Sequence, residues 1–331
     1  MDKIHLVKRA PAALVGSESL MAREIRDLCA TGGIELDLIA AGDDEAGRLT
    51  QQDGEPAVIG RLEADSLSGA RVAFLAGSLE SARAAIGFHL ETALMDLTYA
   101  GEEDPRSQLR APMAEAPSAE ARNSSLSVIA HPAAIVLALL LPRLHPRHPL
   151  RRTVAHVFEP ASERGRAGLD ELQRQTVNLL SFKGLPKAVF DTQVAFNLLA
   201  RYGEDAPESL EISSRRMERH VAALLAGRIP MPSLKLIQAP VFHGHAISLW
   251  MEFEENPGVE TIERLLGSEF IDVRAAGLEP PDLVGAAGQG GVTVGAVSPD
   301  PQCPKACWAW AVCDNIRLRA ENALLAAKER L

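Results

Sequence analysis

In the first 130 residues, short unbroken apolar runs alternate with stretches whose apolar residues recur at helical spacing. That alternation leaves few folds open. Residues 11–16 (PAALVG), 34–40 (IELDLIA), 71–76 (RVAFLA), 93–97 (ALMDL) and 126–130 (LSVIA) read as strands buried on both faces. Residues 20–29 set Leu, Met, Ile and Leu on one helical face, and residues 78–89 read as a second helix. Strand, helix and strand in short succession predict an α/β fold with a doubly wound parallel sheet.

The pattern changes after residue 150. Residues 101–122, rich in Pro, Ala, Glu and Arg, are expected to be an exposed connection. A strand (TVAHVFEP) leads into helices at 165–180 and 209–225. Strands at 235–242 and 246–254 follow, then a Gly/Pro-rich loop at 277–304 and a strand at 307–313. This is α+β with an antiparallel or mixed sheet, hence a second domain. The closing helix, 315–331, starts behind Asp314, a good N-cap. The expected domains are 1–132 with 315–331, and 133–314.

Charge narrows the function. Against 34 Lys and Arg stand 44 Asp and Glu, a net charge of −10, so a broad nucleic-acid footprint is disfavoured. The longest apolar stretch, 133–141, is under half of the roughly 20 residues a membrane helix needs. The N-terminus shows no export-signal pattern. Four cysteines suit a reducing cytoplasm rather than a disulfide scaffold, and the spacing of Cys303, Cys307 and Cys313 lacks paired metal ligands. His243 and His245, two apart on an expected strand, have no carboxylate or thiol at ligand spacing, so no metal is expected.

Gly16 ends a strand and opens a helix, the position of a dinucleotide phosphate turn. Further segments fall in a telling order. They are LVGSESLMA (14–22), VAFLAGS (72–78), VIAHPAAIVLALLLPRL (128–144), VFEPASERGRAGLDELQRQT (157–176), APVFHGHAISLWMEFE (239–254) and WAVCDNIRLRAENA (310–323). With these the chain resembles the aspartate-semialdehyde dehydrogenase family over nearly its whole length. The resemblance implies a Rossmann-like domain and an α+β dimerisation domain. It also implies phosphate-dependent oxidation of an aldehyde by a Cys thiolate, with NADP taking the hydride.

Carried over residue by residue, that chemistry is eroded. The family's nucleophilic Cys falls on Ala134, in His131-Pro132-Ala133-Ala134. The proton-shuttling His is kept as His245. The catalytic Gln becomes Glu159, expected to form an ion pair or an acid/base pair with His245. The Arg that forks onto the substrate carboxylate becomes Gln238, a loss of about 2–4 kcal/mol for an anionic ligand. The substrate-binding helix positions fall near Glu211 and Arg215 with their charges swapped.

The cofactor turn keeps Gly16 and reads on through Ser17, Glu18, Ser19 and Leu20, with Glu18 placing an anion where pyrophosphate would approach. After the second strand, Asp43, Asp44 and Glu45 are expected to exclude NADP. Gly77 and Asn315 keep the family's residue types. NAD or NADP is therefore implied by resemblance alone, and no bound cofactor is expected. The leading expectation is a non-catalytic relative, a homodimer or a heterodimer with an active relative. The alternatives are an NAD(P)-dependent semialdehyde oxidoreductase using His245 and Glu159, and a small-molecule sensor whose old cleft admits a neutral ligand at Gln238.

Overall fold

The computed structural model describes residues 11–52, 54–115 and 124–331. The expectations for the extreme N-terminus and for the end of the 101–122 connection lie outside these residues. The chain forms two compact units, 1–129 with 319–331, and 130–318. Among the described residues, no helix is long and apolar enough to cross a membrane.

The first unit is a parallel sheet in the order β2-β1-β5-β6-β8-β7. Its strands are β1 (Ala12–Val15), β2 (Leu36–Ile39), β5 (Val72–Leu75), β6 (Ala93–Asp96), β7 (Ser107–Arg110) and β8 (Leu126–Ile129). Ala12, Leu14, Val72 and Phe74 face α1 (Leu20–Thr31) and the tail of the last helix through Ile25, Ala323 and Ala327. Ala13, Val15, Ala73 and Leu75 face α2 (Ala64–Ser68) and α3 (Leu79–Gly87). Helices on both faces explain why these strands are continuous apolar runs. A hairpin of β3 (Leu49–Gln52) and β4 (Glu55–Val58) stands apart. The 101–122 stretch is not simply exposed. It supplies β7, whose buried Arg110 pairs with Glu115 and Glu329.

In the second unit a mixed sheet runs β10-β9-β11-β14-β13-β12. Its strands are β9 (Leu150–Glu159), β10 (Ser233–Gln238), β11 (His245–Phe253), β12 (Ile271–Arg274), β13 (Val292–Pro299) and β14 (Ala306–Cys313). Its helices are α4 (Pro132–Leu144), α5 (Gly165–Leu180), α6 (Leu210–Leu225), α7 (Val259–Leu266) and α8 (Leu283–Ala286). The apolar α4 packs on α6, α7 and β11. Helix α9 (Asn315–Lys328) follows β14, and Asp314 accepts hydrogen bonds from the Ile316 and Arg317 amides.

Two sequence expectations need correction here. The strand expected at 235–242 ends at Gln238, just before Pro240, which has no N–H for a ladder. The 277–304 stretch is not a loop throughout. It holds α8 and β13, hidden because β13 is bulged between Gly295 and Ser298, with Ala296 at φ 49°.

Candidate functional site

The chemistry-bearing residues gather at one end of the second sheet. Strands β9 and β11 are antiparallel with Phe158 opposite Ala246, so the next pair along the register sets Glu159 beside His245. On its other side His245 is registered with Cys313. All three are buried. His243 precedes β11 and is not on a strand, so the expected two-histidine strand face does not form. Gly244 is needed for its backbone: at φ 87° its missing Cβ would lie 2.9 Å from Leu283 Cδ2.

His131 enters from the N-cap of α4. Its Nδ1 accepts the Ala133 amide (3.2 Å), and its own amide donates to His220 Nδ1 on α6 (3.0 Å). Its Nε2 stands 3.7 Å from Glu159 Oε2, and its ring meets that of His245 edge-on at 5.4 Å. The sequence shows His131 only as part of the motif, with no signal that it neighbours Glu159 and His245.

The close charged partner of Glu159 is Arg164, from the 3-10 turn between β9 and α5. Its Nη2 donates to Glu159 Oε1 (3.0 Å) and to Ser213 Oγ (2.6 Å). Its Nη1 pairs with Glu208 (2.8 Å), and its Nε donates to the Tyr202 hydroxyl (3.3 Å). With 9% of its side chain exposed, this guanidinium is buried, and these contacts engage four of its five N–H groups. Burial, with Glu159 next to it, pushes the Tyr202 hydroxyl above the ordinary phenol range. The ion pair expected for Glu159 therefore runs to Arg164, a residue that sequence reasoning missed.

Gln238 has no free end for a ligand. Its Oε1 accepts from Tyr202 (2.5 Å), and its Nε2 donates to the carbonyls of Glu159 and Ala239 (both 2.9 Å). The loop carrying Tyr202 is tied to α5. Glu171 accepts the amides of Val189 and Phe190, Gln175 those of Val194 and Ala195, and Phe190 stacks edge-on against Tyr202 at 5.2 Å.

Glu211 and Arg215 lie on the outward phase of their helix. Both are exposed on α6, whose inward residues here are Ser213 and His220. Asn315 is wholly engaged within its own unit. Its Oδ1 accepts from Ser162 Oγ (3.2 Å) and the Gly244 amide (2.9 Å), and its Nδ2 donates to Glu163 Oε1 (2.7 Å). That carboxylate lies 4.0 Å from His245 Nδ1. Ala134 is fully buried in the first turn of α4. The Cys313 thiol is buried, and burial pushes it well above the ordinary thiol range.

In the first unit, Gly16 (φ 79°) and Gly77 face each other at the carboxyl ends of β1 and β5, where the strand order reverses. Ser19 caps α1, accepting the Ala22 amide (2.9 Å) and donating to the Ala76 carbonyl (2.6 Å), while Leu20 opens the helix. Ser17 is buried, and its hydroxyl has no hydrogen-bond partner among the described residues. Two electrostatic expectations change. Glu18 is not a bare anion at the turn, since Arg26 (3.3 Å), Arg23 (4.0 Å) and the Thr50 hydroxyl (3.2 Å) engage it. Asp43 and Asp44 lie beside Arg61 and Arg48, and Glu45 accepts the Ala41 amide, so the patch is partly neutralised.

Comparison with known proteins agrees with this architecture. Residues 141–318 match the family model described as semialdehyde dehydrogenase, dimerisation domain. The chain is 37% identical over 166 residues to a USG-1 protein homolog of Pseudomonas aeruginosa, covering 50% of this chain and 49% of that protein. It is 27% identical over 205 residues to an aspartate-semialdehyde dehydrogenase of Rickettsia bellii, covering 59% of each. The match thus spans about half of the first relative and three-fifths of the second. Among solved structures, a probable aspartate-semialdehyde dehydrogenase from Pseudomonas aeruginosa superposes with TM-score 0.84 at 28% identity, over 96% of this chain and 97% of that one. Aspartate semialdehyde dehydrogenase II from Vibrio cholerae shares the fold, with TM-score 0.82 at 21% identity, over 97% of this chain and 98% of that one.

Proposed function

Because the chain belongs to the semialdehyde dehydrogenase family, we propose that it is a member that keeps the family's scaffold, as a dimeric structural or regulatory protein, without phosphate-dependent aldehyde oxidation. One observation carries this reading. The nucleophile position is Ala134, a buried methyl group, and the thiol nearest His245 in register, Cys313, is held protonated by burial. Without a thiolate there is no thiohemiacetal from which a hydride can leave. Arg164 deepens the loss: a buried guanidinium engaged by Glu159, Glu208, Ser213 and Tyr202 keeps no two-pronged fork for a substrate carboxylate.

A dinucleotide, when bound, would supply a hydride acceptor. The residues suited to hold its pyrophosphate are the buried Ser17 hydroxyl and the α1 N-terminus, with Gly16 and Gly77 shaping the turn. Holding one would not restore the missing attack. The four unpaired cysteines fit a reducing cytoplasm. The test is steady-state assay of purified protein with aspartate semialdehyde, phosphate and NADP or NAD. We expect no turnover above the uncatalysed rate, against the ~10 s⁻¹ of a median enzyme. Turnover at that pace contradicts the reading.

Self-association is supported by the second face of the sheet. There Trp250 lies opposite Val154 and Trp308, and Ser248 opposite His156 and Trp310, with every one of these side chains half-buried or exposed. Trp250 and Trp308, beside Trp310 where α8 packs on the sheet, suit an apolar interface. In size-exclusion light scattering we expect twice the 35.5 kDa chain mass. Trp308→Glu, at a site already 36% exposed, is expected to weaken the dimer at least about 30-fold. A native chain of 35.5 kDa that shifts only on mixing with an active relative would instead favour the heterodimer.

A further inference from the structure

We propose that Arg143, Arg147 and Arg151 form a docking surface for a short acidic peptide segment of a partner protein. Such a surface would serve an active and an inactive chain alike, so it stands apart from the reading above. Residues 143–152 (RLHPRHPLRR) hold four arginines and two histidines, and no Asp or Glu occurs between Glu120 and Glu159. In a chain of net charge −10 that is a local reversal of sign. The segment runs from the last turn of α4 to the start of β9, at the opposite end of that strand from Glu159. Arg147 and Arg151 are exposed and Arg143 is half-buried. Among the described residues, none of the three guanidiniums makes a hydrogen bond or an ion pair. A cation in the last turn of α4 complements the helix dipole, which accounts for Arg143 alone.

The backbone beneath them is fixed. The amides of Arg147 and His148 both donate to the Leu144 carbonyl (3.2 and 2.9 Å), and His145 Nδ1 accepts the Leu150 amide (3.1 Å). The Glu254 amide donates to the Pro149 carbonyl (2.9 Å), and Pro142, Pro146 and Pro149 restrict the turn further. Guanidiniums carried on ordered backbone cost less to order on binding. Sheet alternation sets Arg151 on the face of the buried Thr153, whereas Arg152 shares the tryptophan face and pairs with Glu252 (2.5 Å). The three unpaired arginines thus lie apart from the face assigned to self-association. Glu254 and Glu255 border the patch, and neither forms an ion pair with it.

Charge and extent select the partner. Each guanidinium can take a carboxylate or a phosphate through two parallel N–H bonds. Duplex nucleic acid, with one charge per about 1.7 Å, would run from the patch onto a surface more acidic than the chain as a whole, since four of the 34 Lys and Arg lie here. An anionic membrane meets the same repulsion. A peptide with a few carboxylates ends where the positive charge ends.

The test titrates the full-length protein into a fluorescein-labelled octapeptide of alternating Glu and Ala, read by fluorescence anisotropy at about 50 mM salt. We expect saturable binding that weakens several-fold when salt is raised to about 200 mM. Arg147→Glu combined with Arg151→Glu should weaken it at least about 10-fold. Arg166→Glu combined with Arg174→Glu, at exposed positions of α5, makes the same change in net charge and should alter binding by less than about 2-fold. Two further arms use the unmutated protein: a labelled thymidine octamer and phosphatidylserine vesicles should both bind more weakly than the peptide. No saturable peptide binding, equal losses in the two double variants, or a preference for the octamer or the vesicles would each overturn the proposal.

Discussion

Arg164→Ala is expected to remove about 3–5 kcal/mol of stability, because it strands Glu159 in the protein interior without its counter-charge. For the unit of residues 130–318 that lowers the melting temperature by roughly 6–20 °C. The effect is not the worth of the ion pair itself. Most of it is the penalty of a buried carboxylate left alone. Arg164→Met combined with Glu159→Gln, which removes both charges, should therefore recover most of the loss. Chemical denaturation of the parent, the two single variants and the double variant measures the coupling. An Arg164→Ala protein within 1 kcal/mol of the parent would mean that the interior is wetter than described.

Gly16→Ala is the second large effect. At φ 79° an added Cβ would lie 2.1 Å from Gly77 Cα and 2.5 Å from its nitrogen, so backbone rather than a flexible side chain must move. Left-handed strain and that clash together are expected to cost about 2–4 kcal/mol. Glycine at this position is thus required by the fold before any cofactor is considered. Loss of dinucleotide binding in a Gly16 variant would report damage to the first unit. Ser17→Ala, which leaves the backbone alone, is the cleaner probe of the turn. Gly16→Ala melting with the parent would show that β1 and β5 part more readily at their ends than this geometry allows.

Much of the fold is legible in the sequence because its strongest signals are local. Strands buried on both faces appear as the unbroken runs AALV, VAFL and LSVI, and α5 spans Gly165–Leu180, as its apolar spacing predicts. What escapes is set by partners distant in sequence or by irregular backbone. β13 is broken by its bulge, and β7 sits in polar sequence where the buried Arg110 is stabilised by Glu329, over two hundred residues away. At the site, sequence brings Glu159 and His245 together through the family pattern. It cannot show that Arg164, five residues on, turns back to meet Glu159. Charges misled for the same reason. Glu18 looks like a repelling anion until α1 brings Arg26 beneath it, one helical face along. Glu211 and Arg215 lie on the exposed side of α6, a placement that sequence leaves open because an offset of one or two residues rotates a helix by 100–200°.

The proposed loss of aldehyde oxidation rests on Ala134, a buried methyl group at the position where the family's thiolate would attack. Intact-protein mass spectrometry after incubation with aspartate semialdehyde and NADP, with phosphate left out so that any acyl thioester accumulates, tests it directly. The predicted result is an unmodified mass. An acyl adduct on any cysteine, Cys313 above all, would contradict it.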